Sequence, residues 1–272
     1  MCRILAFYGI GGFNVNRVVE LLKALEKSSA KDPHLERITR GRKFSHGDGW
    51  GFTIVAYDRD ANVKHVTYRS LNPIYEEAEV LDNTINNFIK HCKIVAGILH
   101  TRAAGKGEPI NILSTHPYHM ELNDGSSLWF AHNGSVDKNV LSKTLNMEDL
   151  KDKLSDSYFA ASYISSKWSA KGIIDILRDL IEYTRTALNT ISLVLSSDNV
   201  KIVSTCYYTG RVNEEYYRMY LVSGEGVKAV ASSTLVDYYL DRERYNIMTL
   251  RNREILMWTI SFKGVVEKLE RL

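Results

Sequence analysis

Lys93–His100 reads KIVAGILH, a short, nearly continuous apolar run, and TRAAGKGEPINILSTHPYH leaves it as a loop rich in glycine and polar groups. A run this short with no polar alternation is expected for a strand covered on both faces, so layers must lie on either side of it. Outward from it, CRILAFYG at Cys2–Gly9 and SLWFAHN at Ser127–Asn133 also read as strands, and WGFTIVAYD and NVKHVTYRS alternate as a hairpin turning at Asp60 and Ala61. ISLVLSS, VKIVSTCYYTG, EYYRMYLVS and GVKAVASS look like an antiparallel meander, and EILMWTISFKGVV adds one more strand.

Between these runs the apolar period changes to that of helices. Asn16 caps a helix carrying Val18, Val19, Leu22 and Leu25 that ends near Ser28, and Pro73 opens a second with Leu81, Ile85 and Ile89 on its buried stripe. Asp156–Trp168 and Lys171–Leu188 read as two consecutive helices, whereas Lys31–Asp48, polar and basic with Gly41 and Gly47, reads as an extended surface loop. Strands in blocks, not alternating one by one with helices, predict layered α+β packing. No repeat or proline-rich linker divides the chain, so residues 1–272 are expected to form one domain.

A hydrophobic fraction of 44% is enough for a large core, and 35 basic against 32 acidic residues give a net charge of only +3. The basic residues are scattered among acidic ones, which argues against a nucleic-acid partner. Cys2, Cys92 and Cys206 form no C-x-x-C pair, which argues against a disulfide framework and a cysteine-rich zinc site and favours a reducing compartment. No run approaches the roughly 20 apolar residues that span a bilayer and no leader pattern follows Met1, so a cytoplasmic protein with no membrane partner is expected.

Chemistry should sit in the polar islands at strand ends. These are MCR at the start, HGDGWG at His46–Gly51, HTR at His100–Arg102, AHNGS at Ala131–Ser135 and LSDSY at Leu154–Tyr158. Removal of Met1 would make Cys2 the first residue, uniting a thiol with an α-amino group whose pKa of about 7.7–8.0 suits a base near neutral pH. Asn133 and Gly134 can aim a side-chain amide and a backbone N–H in one direction, as an oxyanion hole requires. The same Asn-Gly pair also reads as a type I′ hairpin turn. Arg102 has the planar fork that suits a carboxylate and Asp156 could accept from an ammonium, although a surface salt bridge and a helix cap are the plainer readings of each.

Those islands, in order over most of the first 165 residues, resemble the class II glutamine amidotransferases, whose glutaminase domains are N-terminal nucleophile hydrolases. The family pattern of N-terminal Cys, DG-x-G, HTR, HP, HNG and an Asp beside Ser or Thr is matched here by Cys2, DGWG, HTR, THPY, HNG and SDSY. The resemblance implies a four-layer αββα sandwich of two antiparallel sheets flanked by helices. It implies Cys2 as nucleophile, Asn133 with Gly134 as oxyanion hole, Arg102 on the substrate α-carboxylate and Asp156 on the α-amino group. It also implies that Gly105 belongs to a substrate-closing loop, AAGKGEP, and that His116 supports the site. No metal or other cofactor is implied.

Like the stand-alone branch of the family, the chain is expected to cleave the γ-carboxamide of glutamine or a γ-glutamyl compound through a thioester, releasing glutamate and ammonia or amine. A separate ammonia-accepting synthase is a possible partner. HTRAAGKG stands where glutamine-specific relatives often have HTRWATHG, which leaves carboxylate recognition to Arg102 and opens the substrate to γ-glutamyl compounds other than glutamine. The alternatives are a non-catalytic glutamine sensor or scaffold, and a metal-dependent hydrolase using His100, His116, His119 and His132 with the H-x-x-H spacing of HPYH.

Overall fold

The computed structural model describes residues 2–272, so the expected loss of Met1 lies outside the described residues. Its strands are β1 (Cys2–Gly9), β2 (Trp50–Tyr57), β3 (Val63–Ser70), β4 (Ile94–Arg102), β5 (Tyr118–Glu121), β6 (Ser127–Val136), β7 (Thr184–Leu195), β8 (Val200–Cys206), β9 (Met219–Gly224), β10 (Val227–Ser232), β11 (Asn246–Leu250), β12 (Glu254–Ser261) and β13 (Gly264–Arg271). They form a seven-stranded sheet in the order β11-β9-β10-β1-β4-β2-β3 and a six-stranded sheet in the order β13-β12-β8-β7-β6-β5. Every pairing is antiparallel.

Two-residue alternation decides which side chains look where. On β1, Leu5 and Phe7 join a core with Val18, Leu21, Leu22 and Leu25 of helix α1 (Val15–Ala30), while Ile4, Ala6 and Tyr8 point into the space between the sheets. There they meet Trp129, Ala131, Ile191, Ile202 and Trp258 of the other sheet. Helices α4 (Lys138–Thr144), α5 (Asp156–Lys167) and α6 (Ile173–Leu180) cover that sheet's far face through Leu141, Phe159, Ile164, Ile176 and Leu180. The order of layers is helix, sheet, sheet, helix, as expected. β4 is buried along its whole length, as its composition requires.

Several local readings need correction. Helix α1 is capped by Asn14, not Asn16: the Asn14 side chain accepts from the Asn16 N–H, and its backbone N–H is held by the Glu225 carbonyl of the β9–β10 turn. Residues 31–48 are not simply an extended loop. Asp32 caps helix α2 (Pro33–Thr39), with Pro33 at its start and Arg40 left-handed after its end; a buried partner for Asp32, invisible in a polar sequence, draws this segment inward. Pro73 starts only a single 3-10 turn, and α3 (Ala78–Asn87) begins later.

The helix read as Lys171–Leu188 covers Ile173–Leu180, because β7 takes over at Thr184 and pairs with β6. The expected meander is divided between the two sheets: β7 and β8 lie in one, β9 and β10 in the other. A short helix α7 (Glu214–Tyr217) makes the crossing. EILMWTISFKGVV holds two strands, β12 and β13, that pair with each other, and β11 precedes them. Among the described residues no helix is long and apolar enough to cross a membrane.

Candidate active site

The alternation that builds the core also assembles the site. Cys2 shares the inner face of β1 with Ile4, and stands opposite Arg102 of β4. His100 and Arg102 continue the inner row of Ile94, Ala96 and Ile98. On the facing sheet, Asn133 follows Trp129 and Ala131 along the inner row of β6. Cys2, His100, Arg102 and Asn133 therefore converge where the two sheets meet, all of them buried. A cavity of about 350 Å³ opens there, lined by Cys2, Arg102, Gly105, His116, Gly134 and Asp156 among others. Each residue named for the amidotransferase reading lines it except Asn133, which reaches the same place by a direct bond: the Cys2 N–H donates to Asn133 Oδ1 at 3.0 Å.

Asn133 Nδ2 and Arg102 Nη1 are buried and have no hydrogen-bond partner among the described residues. Unsatisfied buried donors are uncommon and costly, so two beside one cavity mark a place for an anionic or carbonyl oxygen. Gly134 sits at a bulge, where the register between β6 and β7 shifts. A Cβ on it would stand 1.9 Å from the Ala187 carbonyl oxygen, so no side chain fits. The Asn-Gly pair thus lies within β6, and the type I′ turn is not what it forms.

Asp156 starts α5 behind its N-cap Ser155. Its Oδ2 accepts the Val136 N–H at 3.0 Å and its Oδ1 the Ser157 N–H at 2.7 Å, tying the helix to the bulge. The loop after β4 is pinned from both sides. Asp48 Oδ2 accepts from the Ala104 N–H at 2.8 Å, and Glu108 Oε2 accepts from the Asp156 N–H at 3.3 Å and pairs with Lys138 at 3.0 Å. In DGWG, Gly51 is needed for close approach, because a Cβ there would meet the His116 carbonyl oxygen at 2.4 Å.

The electrostatics favour a thiolate. Burial pushes the Cys2 thiol up, but the positive amino terminus, His100 and Arg102 outweigh it and hold the group well below the usual thiol range. Cys206, buried without such neighbours, is pushed up to about 12. His116 is held well below the imidazole range by burial, then by His100 and Arg102. His132, depressed by burial against the pull of Asp156, bonds the Ala187 carbonyl through Nε2 and faces Ser157 Oγ through Nδ1, each at 2.9 Å.

The H-x-x-H pair is split between environments. His116 stacks on His100 inside the protein, whereas His119 stacks on Trp129 and pairs with Glu121 near the surface. Among the described residues no three His, Cys, Asp or Glu side chains are grouped to hold a metal.

Three features escaped the sequence reading. His100 lies beside the thiol, set there by the pairing of β1 with β4. Glu108, within AAGKGEP, clips the loop to α5. Behind Cys2, Arg3 donates to Asp32 at 2.6 Å while His46 meets the same carboxylate at 2.7 Å, all fully buried. No spacing in the sequence links Arg3, Asp32 and His46.

Residues 34–152 match the family model for class-II glutamine amidotransferases. An allosteric regulatory enzyme of purine biosynthesis aligns with 98% of this chain and 48% of its own, at 16% identity and a TM-score of 0.58. Glutamine phosphoribosylpyrophosphate amidotransferase from B. subtilis, solved with ADP and GMP, aligns with 98% and 49%, at 14% identity and a TM-score of 0.51. The chain therefore spans about half the length of these two proteins, with which it shares a fold. A predicted glutamine amidotransferase from Pseudomonas aeruginosa aligns over 98% of this chain and 96% of its own, at 12% identity and a TM-score of 0.37. No curated protein matches the sequence.

Proposed function

From a chain with the class-II glutamine amidotransferase fold and that family's match over residues 34–152, we propose an amidohydrolase that cleaves the γ-carboxamide of glutamine or a γ-glutamyl compound. Residues 1–272 act as one catalytic unit, matured by loss of Met1. The observation that carries this reading is the bond from the Cys2 nitrogen to Asn133 Oδ1, with Asn133 Nδ2 left to donate beside the thiol.

Cys2 Sγ attacks the γ-carbonyl carbon, and its proton passes through a water to the freed α-amino group. The electron pair displaced onto oxygen is held by Asn133 Nδ2 and the Gly134 N–H. Collapse breaks the C–N bond, the leaving nitrogen takes the proton, and water hydrolyses the γ-glutamyl thioester. Arg102, with Nη1 open, takes the substrate α-carboxylate, and Asp156 takes the α-ammonium. The Gly105 loop closes over them while His116 supports the wall. Ammonia passes to a separate synthase, or simple hydrolysis of a γ-glutamyl amide is the whole reaction.

The test is glutamate release by protein whose intact mass shows loss of Met1, assayed with glutamine, γ-glutamyl peptides and glutathione. Release from at least one of them, abolished in Cys2→Ala, is expected. Equal release by Cys2→Ala, or activity in protein that retains Met1, overturns the reading.

A further inference from the structure

Four buried nitrogens beside the cavity have no part in the reaction just described. The rings of His100 and His116 stack with centroids 4.0 Å apart and planes inclined by 29°. Both nitrogens of each ring lack a hydrogen-bond partner among the described residues. Leaving a polar atom buried and unsatisfied costs about 1–3 kcal/mol, so packing alone does not account for four of them in one place.

The strand register places them. Cys2 lies opposite Arg102 and Ile4 opposite His100, which sets the thiol diagonally across from the His100 ring on the same inner face, within side-chain reach. Gly51, on the other side of β4, stands opposite His100 and gives way to the His116 segment. His116 is thereby pressed onto His100 and fixes its ring. We propose that His100 is a second proton acceptor for Cys2, holding it as a thiolate before substrate arrives; this rests on the assignment of Cys2 as nucleophile.

The surrounding charges suit that role. Facing the pair are Arg102 on β4, His116 ahead of β5, Tyr118 on β5, His132 on β6, Asp156 on α5, Tyr216 and Tyr217 on α7 and His46 ahead of β2. Arg102 favours a negative sulfur. His116, depressed by burial, stays neutral and serves as a flat support. The carboxylate of the group, Asp156, is tied to the Val136 and Ser157 N–H groups.

In the free enzyme the S–H bond breaks before substrate arrives, and the proton that otherwise passes through a water to the α-amino group during attack rests first on a His100 ring nitrogen. The sulfur lone pair then forms the C–S bond as the carbonyl pair moves to oxygen. When that pair returns and the C–N bond breaks, the proton travels from His100 by way of the α-amino group to the leaving nitrogen, and His100 is neutral again. His100 thus supplies the thiolate, and the amine delivers the proton.

The test is the pH dependence of Cys2 alkylation by iodoacetamide, followed at that residue by mass spectrometry in protein lacking Met1. In the wild type, alkylation should persist well below the ordinary thiol range of about 8.5, and in His100→Gln the rate at about pH 6 should fall tenfold or more. Superimposable profiles overturn the proposal. Should His100→Gln not fold, the ultraviolet thiolate absorbance of wild type minus Cys2→Ala at about pH 6 decides: no thiolate signal defeats the proposal.

Neither measurement needs a substrate. An unmoved profile with glutamate release intact defeats only the role of His100. A shifted profile in protein that releases glutamate from no γ-glutamyl compound defeats the amidohydrolase reading and upholds His100.

Discussion

At the scale of the residue, Asn133 does two things with one amide. Its oxygen holds the Cys2 nitrogen at 3.0 Å, and its nitrogen remains an unused buried donor. Asn133→Asp keeps the acceptor and removes the donor, whereas Asn133→Ala removes both. If the amide nitrogen steadies the oxyanion, steady-state kinetics of both variants should show kcat lower by about 10²–10³, corresponding to about 2.7–4 kcal/mol, with KM little changed. A variant Asn133→Asp with wild-type kcat would remove the amide from the oxyanion hole. The sequence displayed Asn133 and Gly134 plainly, yet could not tell a turn from a bulge. That choice was made by Ala187, whose carbonyl leaves no room for a Cβ at Gly134.

At the scale of the element, the start of β1 is held from behind by α2 and its cap. Asp32 Oδ1 accepts from the Leu35 N–H at 2.9 Å and from Thr234 at 2.8 Å, while Oδ2 receives Arg3 and His46. The Arg3 guanidinium also lies 4.0 Å from the centre of the Tyr216 ring and donates to the Tyr216 carbonyl at 2.9 Å. One carboxylate thus joins α2, β1 and the segment after β10. Asp32→Asn leaves Arg3 buried without a counter-charge, and a loss of about 3–5 kcal/mol in denaturant unfolding is expected. A loss below about 1 kcal/mol would mean that the cluster relaxes into solvent. Residues 31–48 looked like surface because a segment rich in charge usually is. Here the charges are buried against partners that lie far away in the chain.

For the whole molecule, acid stability follows from the histidines enclosed between its layers. His46, His116 and His132 are all depressed, in each case first by burial. A histidine kept neutral in the fold takes up its proton first in the unfolded chain. The stability it contributes is therefore complete above the unfolded value of about 6.5 and is lost as pH falls toward the lower folded value. Urea midpoints should fall from about pH 6.5 downward, by on the order of 1.4 kcal/mol per pH unit for each histidine that differs, and His46→Gln should flatten the profile. Asp32, held far below the carboxylate range against its own burial, adds a further loss below about pH 4. A flat profile down to about pH 5 would mean that these histidines are charged in the fold.

By itself the sequence determined the strands β1, β4 and β6, the hairpin of β2 and β3, and the inward period that puts Cys2, Arg102 and Asn133 on facing surfaces, because apolar alternation is a local property of each strand. Only the tertiary structure decided which sheet β7 to β10 join, that Asp32 and its helix lie buried, and that His100 stands beside the thiol on a stacked His116. Those outcomes depend on contacts between residues distant in the chain, whose energies no local pattern records.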